Sequence, residues 1–433
     1  MKKYVKTAAV IVMSLVLLVP VFAGGGKDSS GSANGVTTLR FFSNLPDRSS
    51  NMGLLEQTLL DEYQKANPNV KIVVEALQDE PYKQKFKAYM AGNNLPDIFA
   101  VWGQPSFFEP VMKEGYAAEL DPSVYSAYAF VNGSLNGFSY DGKLYGLPRN
   151  TDMMVVFYNA KLFADNGIAV PQTVPELIAA AKKFKAKGIA PISMDGKDAW
   201  PLAILYHDLV MKRNGDDRAI RDALAKKDFN SPVLLQAAKD LVELVDGGVF
   251  QTGFVSADYG ASQNIFSQGK AAMYYMGSWE MGMATNDAFS AEFKENLAVM
   301  NFMSIPGSVG RQTDMMAWNG GGYAVSGKSS NKTEAVKLLD YMMLPENWTK
   351  HAWQQGLGFP GQKFDAFLSG TETDVQKTLV TVLGSATNTS GTPINDSATA
   401  VFKTECENAV QALAAKIITP EQFIQKLNDA IKK

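Results

Sequence analysis

Asn44, Asp79, Glu80 and Trp102 stand at or just past three β-prone runs, Thr38–Ser43, Val70–Leu77 and Pro96–Trp102. Their types suit one kind of partner. Amide and carboxylate side chains can each make two hydrogen bonds to hydroxyls, and a flat indole buries an apolar face. Together they fit a hydroxyl-rich, uncharged small molecule. A phosphate ligand would require a Gly-rich turn at these positions, and none is present. Asn44 and Asp79 have a second use, since either could cap the helix that follows it. Other chemistries find little support. The two histidines, His207 and His351, and the single Cys406 show no metal-ligand spacing. Neither histidine has a clear Ser or Cys partner for nucleophilic catalysis. A strongly anionic ligand would favour several cationic side chains near such a site, and only Arg149 is evident.

The elements that must hold these residues can be read from periodicity. Leu55, Leu59, Tyr63 and Ala66 recur at helical spacing before Asn67-Pro68. Tyr82, Phe86 and Tyr89 mark a second helix, ending near Gly92. Strand, helix, strand, helix, strand implies an α/β layout with a parallel sheet flanked by helices. Ligands of such sheets sit beyond the carboxyl ends of the strands, which is where the four residues fall. Further along, Thr173-Val174-Pro175-Glu176 is a capping box that opens a helix to Lys187. Ala271–Gly277 and Leu297–Ile305 read as strands.

Length and composition agree with this. The chain has 433 residues and 46% hydrophobic content, enough for two lobes. Its net charge of −3 is spread without a basic stripe, which argues against nucleic acid as a partner. Lys2, Lys3 and Lys6 precede an apolar run, Ala8 to Phe22, and Val21-Phe22-Ala23 supplies small residues for cleavage. Residues 1–23 therefore read as a secretory signal peptide, shorter than the roughly 20 apolar residues of a membrane span. Residues 24–37 read as a flexible leader rich in Gly and Ser. Gly24 stands where a lipid-anchoring cysteine would be. One cysteine in an exported chain leaves no internal disulfide, and Cys406 reads as a buried, inert thiol.

One passage carries a family resemblance. Gly142-Lys143-Leu144-Tyr145-Gly146-Leu147-Pro148 reads as a short strand, Arg149-Asn150-Thr151-Asp152 as a polar break, and Met153–Asn159 as a β-rich restart. This resembles the first interlobe crossing of the sugar-type solute-binding proteins that serve ABC importers. Gly269-Lys270-Ala271-Ala272-Met273, ending in Gly277-Ser278-Trp279, resembles a second crossing. Ala317-Trp318-Asn319-Gly320-Gly321-Gly322-Tyr323 resembles a third. The resemblance covers nearly all of the chain after its signal. It implies a two-lobed periplasmic-binding-protein fold, each lobe a mainly parallel sheet flanked by helices, joined by a three-segment hinge. The first lobe is then residues 38–149 with 267–320, and the second is 150–266 with 321–433.

The resemblance also extends the site. It adds Arg149, Asn150, Thr151 and Asp152 at the first crossing, Trp200 and Trp279 as cleft aromatics, and Trp318, Asn319, Gly320 and Gly321 at the third crossing. Trp353 enters through its neighbouring Gly-Phe-Pro loop. The implied function is capture of a sugar by hinge closure and its delivery to the permease subunits of an ABC importer. The implied protein is a monomer that uses no cofactor, metal or catalytic residue. Aromatics would bury the apolar face of a pyranose and the polar set would pair its hydroxyls. Five candidate tryptophans exceed what one monosaccharide can touch, so some must serve packing. Two alternatives stay open. Asp79, Glu80, Asp152 and Glu280 could form the paired carboxylates of a glycoside hydrolase, about 5–9.5 Å apart. A non-sugar solute could occupy the same scaffold.

Overall fold

The computed structural model describes residues 35–433. The signal-like segment and most of the leader lie outside the described residues. Within them, ten strands build two main sheets: β1 (Thr37–Ser43), β2 (Val70–Ala76), β3 (Ile98–Trp102), β4 (Gly146–Pro148), β5 (Thr151–Asn159), β6 (Ala190–Ser193), β7 (Ala271–Gly277), β8 (Leu297–Met300), β9 (Ala317–Asn319) and β10 (Gly321–Val325). The first sheet runs β2-β1-β3-β10-β4. The second runs β8-β5-β7-β6, with β9 also on β5.

In the first sheet β1 pairs in parallel with β2 and β3. The connecting helices, Asn51–Ala66 and Asp79–Ala91, supply the crossovers that parallel strands require. The first helix turns Leu55, Leu59 and Tyr63 inward, as their spacing predicts. β10 and β4 add antiparallel to this core. The second sheet is also mixed: only β6 and β7 pair in parallel, and β5 runs antiparallel to β7, β8 and β9. Both sheets are therefore less parallel than expected. At Thr173 the capping box forms, with the Thr173 hydroxyl accepting from Glu176 N and the Glu176 carboxylate accepting from Thr173 N.

Each sheet has its own hydrophobic core within the compact unit Val36–Lys433. Phe41, Phe42, Phe99, Tyr323 and Trp348 belong to one. Met153 to Phe157, Leu205, Tyr274, Phe402 and Phe423 belong to the other. The chain passes between sheets where β4 gives way to β5 through Arg149 and Asn150. It passes again where β9 gives way to β10 through Gly320. The third passage lies between Leu357, in the first core, and Phe359, in the second. It runs beside the first, because Asn150 bridges to Pro360.

This differs from the expected lobe boundaries in two ways. β7 does not return to the first lobe. It lies between β5 and β6, and all seven of its residues are buried. A strand apolar on both faces belongs in the middle of a covered sheet, which the Ala-Ala-Met-Tyr-Tyr-Met run satisfies. Conversely, β10 joins the first sheet, and the Lys332–Met343 helix packs on the first core with Leu338, Leu339 and Met342. Residues 267–320 are thus not a first-lobe segment, and the second lobe does not resume at 321.

Candidate functional site

A cleft of about 520 Å³ opens at the carboxyl ends of the parallel strands and is lined from both sheets. Ten of the residues expected from sequence line it: Asn44, Asp79, Trp102, Arg149, Asn150, Asp152, Trp200, Trp279, Trp318 and Gly321. Asn44, Asp79 and Trp102 follow or end β1, β2 and β3. Trp200 opens the helix Trp200–Asn214 after β6, and Trp279 follows β7. Neither Asn44 nor Asp79 acts as a helix N-cap.

Five expected residues stand elsewhere. Glu80 faces Lys83 at 2.7 Å beside the cleft. Thr151 and Asn319 pair with each other in the β5–β9 ladder, and Asn319 Nδ2 donates to Gly133 O at 2.9 Å. Gly320 is a packing position, because a Cβ there would come within 2.1 Å of Asp152 Oδ2. Trp353 is a core residue. It is 1% exposed, stacks on Phe364 at 4.1 Å between centroids, and faces into the second core from the short helix Thr349–Gln354. Trp353→Ala is expected to cost about 3–5 kcal/mol of stability, and to leave the ligand affinity of the folded protein within about two-fold, a split of less than half a kcal/mol. Urea unfolding and titration calorimetry on the same sample check both halves.

Arg149 organises the crossing. Its Nη1 donates to Asn44 Oδ1 at 2.9 Å and its Nε to Asn150 Oδ1 at 3.1 Å. The guanidinium lies over the Tyr323 ring, 5.4 Å from the centroid. Tyr323 donates its hydroxyl to Glu56, which also pairs with Arg48. Trp348 Nε1 donates to Arg149 O at 2.9 Å. Asn150 in turn donates to Asp152. A single buried polar chain therefore joins the first core to the start of β5.

Burial pushes the Asp152 carboxyl up to about 7, against the opposing pull of Arg149 and the Asn150 hydrogen bond. The ordinary carboxylate range lies near 4, so between those two values the folded protein holds a proton that the unfolded chain has released. Stability from this group is thus full below about 4 and lost as pH rises to about 7. Asp152→Asn is expected to flatten the decline in Tm from pH 5 to pH 8 relative to the parent. Parallel profiles for the two proteins would contradict this.

The second-sheet side is aromatic. Trp200 and Trp279 lie 6.0 Å apart with planes inclined by 50°, and Trp279 and Trp318 lie 6.2 Å apart with planes inclined by 74°. Trp279 Nε1 donates to the Tyr259 hydroxyl at 3.0 Å, and Tyr259 donates to Glu280. Gln263 Nε2 donates to the same carboxylate at 2.8 Å. Burial raises the Glu280 pKa, and its two hydrogen bonds oppose the rise. Facing this wall, Trp102 is held edge-on by Tyr82 and Phe107, with Lys83 Nζ 5.0 Å from its ring centroid.

Further lining residues were not singled out from sequence as ligand contacts. Gln104 was legible, since it stands two residues past Trp102 at the end of β3. Tyr259 and Gln263 share one helix face at a four-residue spacing, yet nothing local tells that face from an ordinary buried one. Asp396 and Lys403 reach the cleft from distant parts of the chain. Asp396 closes on the first sheet, accepting from Ser106 Oγ at 2.6 Å. Among the described residues no group of His, Cys, Asp and Glu is set to hold a metal ion.

Residues 49–347 match the family described as bacterial extracellular solute-binding protein. The multiple sugar-binding protein of Streptococcus mutans is 22% identical over 289 residues, 65% of this chain and 66% of that protein. The maltotriose-binding protein of Pyrococcus abyssi is 24% identical over 233 residues, 52% of this chain and 47% of that protein. The chain thus spans about half to two thirds of the length of these curated relatives. Among solved structures, one from work on xylan utilisation by the thermophile Caldanaerobius polysaccharolyticus superposes with a TM-score of 0.83 at 28% identity. It covers 90% of this chain and 99% of its own. A chitin oligosaccharide binding protein gives a TM-score of 0.81 at 24% identity, covering 92% and 98%. The two solved structures share the two-lobed α/β fold seen here, and the family match takes in the second sheet and all of the first except β1, leaving out the cleft residues near Asn44 and those at Asp396 and Lys403. The chain belongs to the bacterial extracellular solute-binding protein family.

Proposed function

We propose that this protein captures an oligosaccharide outside the cytoplasmic membrane by closing two lobes around it, and delivers it unchanged to the permease of an ABC importer. The observation that carries this reading is the make-up of the cleft. Three indoles form one wall, and amides and carboxylates held by buried hydrogen bonds form much of the rest. Rings bury the C–H faces of a pyranose, and preorganised polar groups pair its hydroxyls, each unpaired hydroxyl costing roughly 1–3 kcal/mol. The lobes we assign are residues 36–149 with 321–357, and 150–320 with 358–433, following the strand pairing and the two cores. The three passages between them absorb the rotation of a hinge. Ligand favours closure only through contacts that the open form lacks, and the Ser106–Asp396 pair belongs to the closed form. The relatives named for sugars support the ligand class, and the family supports the permease as recipient.

The test is a thermal-shift screen of the exported chain against mono-, di- and oligosaccharides, with product analysis of each hit. A ligand at a hundred times its Kd adds about 2.7 kcal/mol, which is read as a clear rise in Tm with the sugar recovered intact. Cleavage of the sugar would replace this reading with a glycoside hydrolase. No shift with any sugar would leave a different solute on the same scaffold.

A further inference from the structure

One pair of residues joins the two lobes directly, at positions far from the three chain passages in sequence. Ser106 lies in the turn between β3 and the Phe108–Lys113 helix. Asp396 ends the short turn Ile394–Asp396, just before the Ala400–Ala414 helix of the other lobe. Ser106 Oγ donates to Asp396 Oδ1 at 2.6 Å, and Ser106 N donates to Asp396 O at 3.3 Å. Both donors of one serine are thus spent on a single residue across the interface. Both residues are buried, and Ser106 does not line the cleft.

Each partner is fixed within its own lobe. On the first side, Phe107 N and Phe108 N both donate to Gln104 O, at 3.1 and 2.9 Å. Phe107 stands edge-on to Trp102 and Phe108 is fully buried in the first core. On the second side, Ile394 is fully buried in the second core, and its N–H donates to His207 Nδ1 at 3.2 Å. Asn395 Nδ2 donates to Asp396 Oδ2 at 3.1 Å and to Glu407 at 2.8 Å. Lys403 Nζ faces the Asp396 carboxylate at 3.0 Å and pairs with Glu407 as well. Neither partner can turn away without disturbing its own lobe. Rotation of one lobe against the other is the motion that parts them.

Other contacts between the lobes are weaker. Asn286 Nδ2 donates to Ser50 Oγ at 3.3 Å, and Thr285 Oγ1 donates to Gln355 O at 3.1 Å. These are single bonds between neutral groups in more exposed places. The Ser106 hydroxyl meets a carboxylate, and such charge-assisted bonds are roughly twice as strong as neutral ones. Its N–H adds a second bond to the same residue.

We infer that Ser106 and Asp396 form an interlobe latch, which weights the closed form through contacts between the lobes alone and so sets part of the closed-to-open balance without any ligand. This rests on the hinge-closing reading above and assigns a control point to it. A factor gained in that balance passes into the apparent affinity of a ligand held only by the closed form, for as long as that form is the minor one.

Single-molecule energy transfer on the ligand-free exported chain tests the latch. Dyes go on Glu119→Cys in the first lobe and Asp222→Cys in the second, both exposed in the parent. Cys406 is fully buried and takes no dye. The parent is expected to show two species, closed and open. Ser106→Ala keeps the backbone bond and removes the hydroxyl, and is expected to shift the balance about ten-fold toward the open species, which corresponds to about 1.4 kcal/mol. Asp396→Asn keeps the shape and an acceptor oxygen but loses the charge. It is expected to shift the balance about three-fold, and it carries the test if Ser106→Ala does not fold. A shift under about two-fold in Ser106→Ala, or no closed species in the parent, would overturn the latch and leave ligand capture by the cleft untouched. One species at one distance in all three proteins would count against the hinge itself.

Discussion

Trp279→Ala is expected to weaken sugar binding by about a hundred-fold, the loss of some 2.7 kcal/mol that marks a binding hot spot. Trp279 is the middle member of the indole wall and touches both of its neighbours, so its removal opens a gap that water fills rather than trimming an edge. It also takes a donor from the Tyr259 hydroxyl and loosens the Tyr259–Glu280–Gln263 set. Stability should fall much less than affinity, because the ring is only partly buried. A second variant separates the ring from its placement. Gly277→Ala keeps Trp279 but puts a methyl group where the ring now sits, 2.0 Å from it. The ring must shift, and affinity should again fall steeply. Calorimetry on both variants reads the effect. A loss under about three-fold in Trp279→Ala, less than 0.7 kcal/mol, would remove Trp279 from the site.

Arg149→Leu carries the largest expected cost to stability, about 3–5 kcal/mol, the range for deleting one member of a buried charged network. The substitution leaves the oxygens of Asn44 and Asn150 without their donor and withdraws a counter-charge from Glu56 and Asp152. Arg48 still faces Glu56, so the first core keeps part of its compensation. Asp152 keeps only Asn150, and its pKa should move further upward because the Arg149 field now lowers it. Lys at position 149 is not a conservative repair. A single ammonium cannot reproduce the planar fork that reaches Asn44 and Asn150 together while stacking on Tyr323. Urea unfolding of Arg149→Leu and Arg149→Lys gives the answer, with Arg149→Lys expected between parent and Arg149→Leu. A loss below about 1 kcal/mol, the worth of an exposed ion pair, would mean that the crossing is held by the strands alone.

The two variants probe different links of one design. On the proposed function the indole wall serves the ligand, set on strand and helix ends. The Arg149 chain is mostly architecture. It fixes where the first passage between sheets lies, and through Asn150 it fixes Asp152 at the cleft. Ligand affinity and fold stability are therefore coupled at Arg149 and nearly independent at Trp353, which the core alone requires.

Much of this was legible in the chain. The βαβαβ order placed Asn44, Asp79 and Trp102 beyond three strand ends, and the cleft lies there, because parallel strands carry their carboxyl ends to one edge of the sheet. The polar break at Arg149-Asn150 marked a true passage, since a strand that stops at buried polar residues and restarts has changed sheets. Gly320 and Gly322, two of three consecutive glycines, marked another, where the packing leaves no room for a Cβ. Other features could not be read locally. Ala271–Gly277 is as apolar as a strand leaving its sheet or one at its centre, and only pairing with Thr151–Asn159 and Ala190–Ser193 decided between them. Trp353 and Trp279 are alike as residue types. One is enclosed by Phe359 and Phe364 while the other faces the cleft, and that difference arises from contacts far apart along the chain. Periodicity records which residues leave water and in what local order. Which of them meet, and how three ring planes are inclined, are set by tertiary packing, because those relations join elements that share no local repeat.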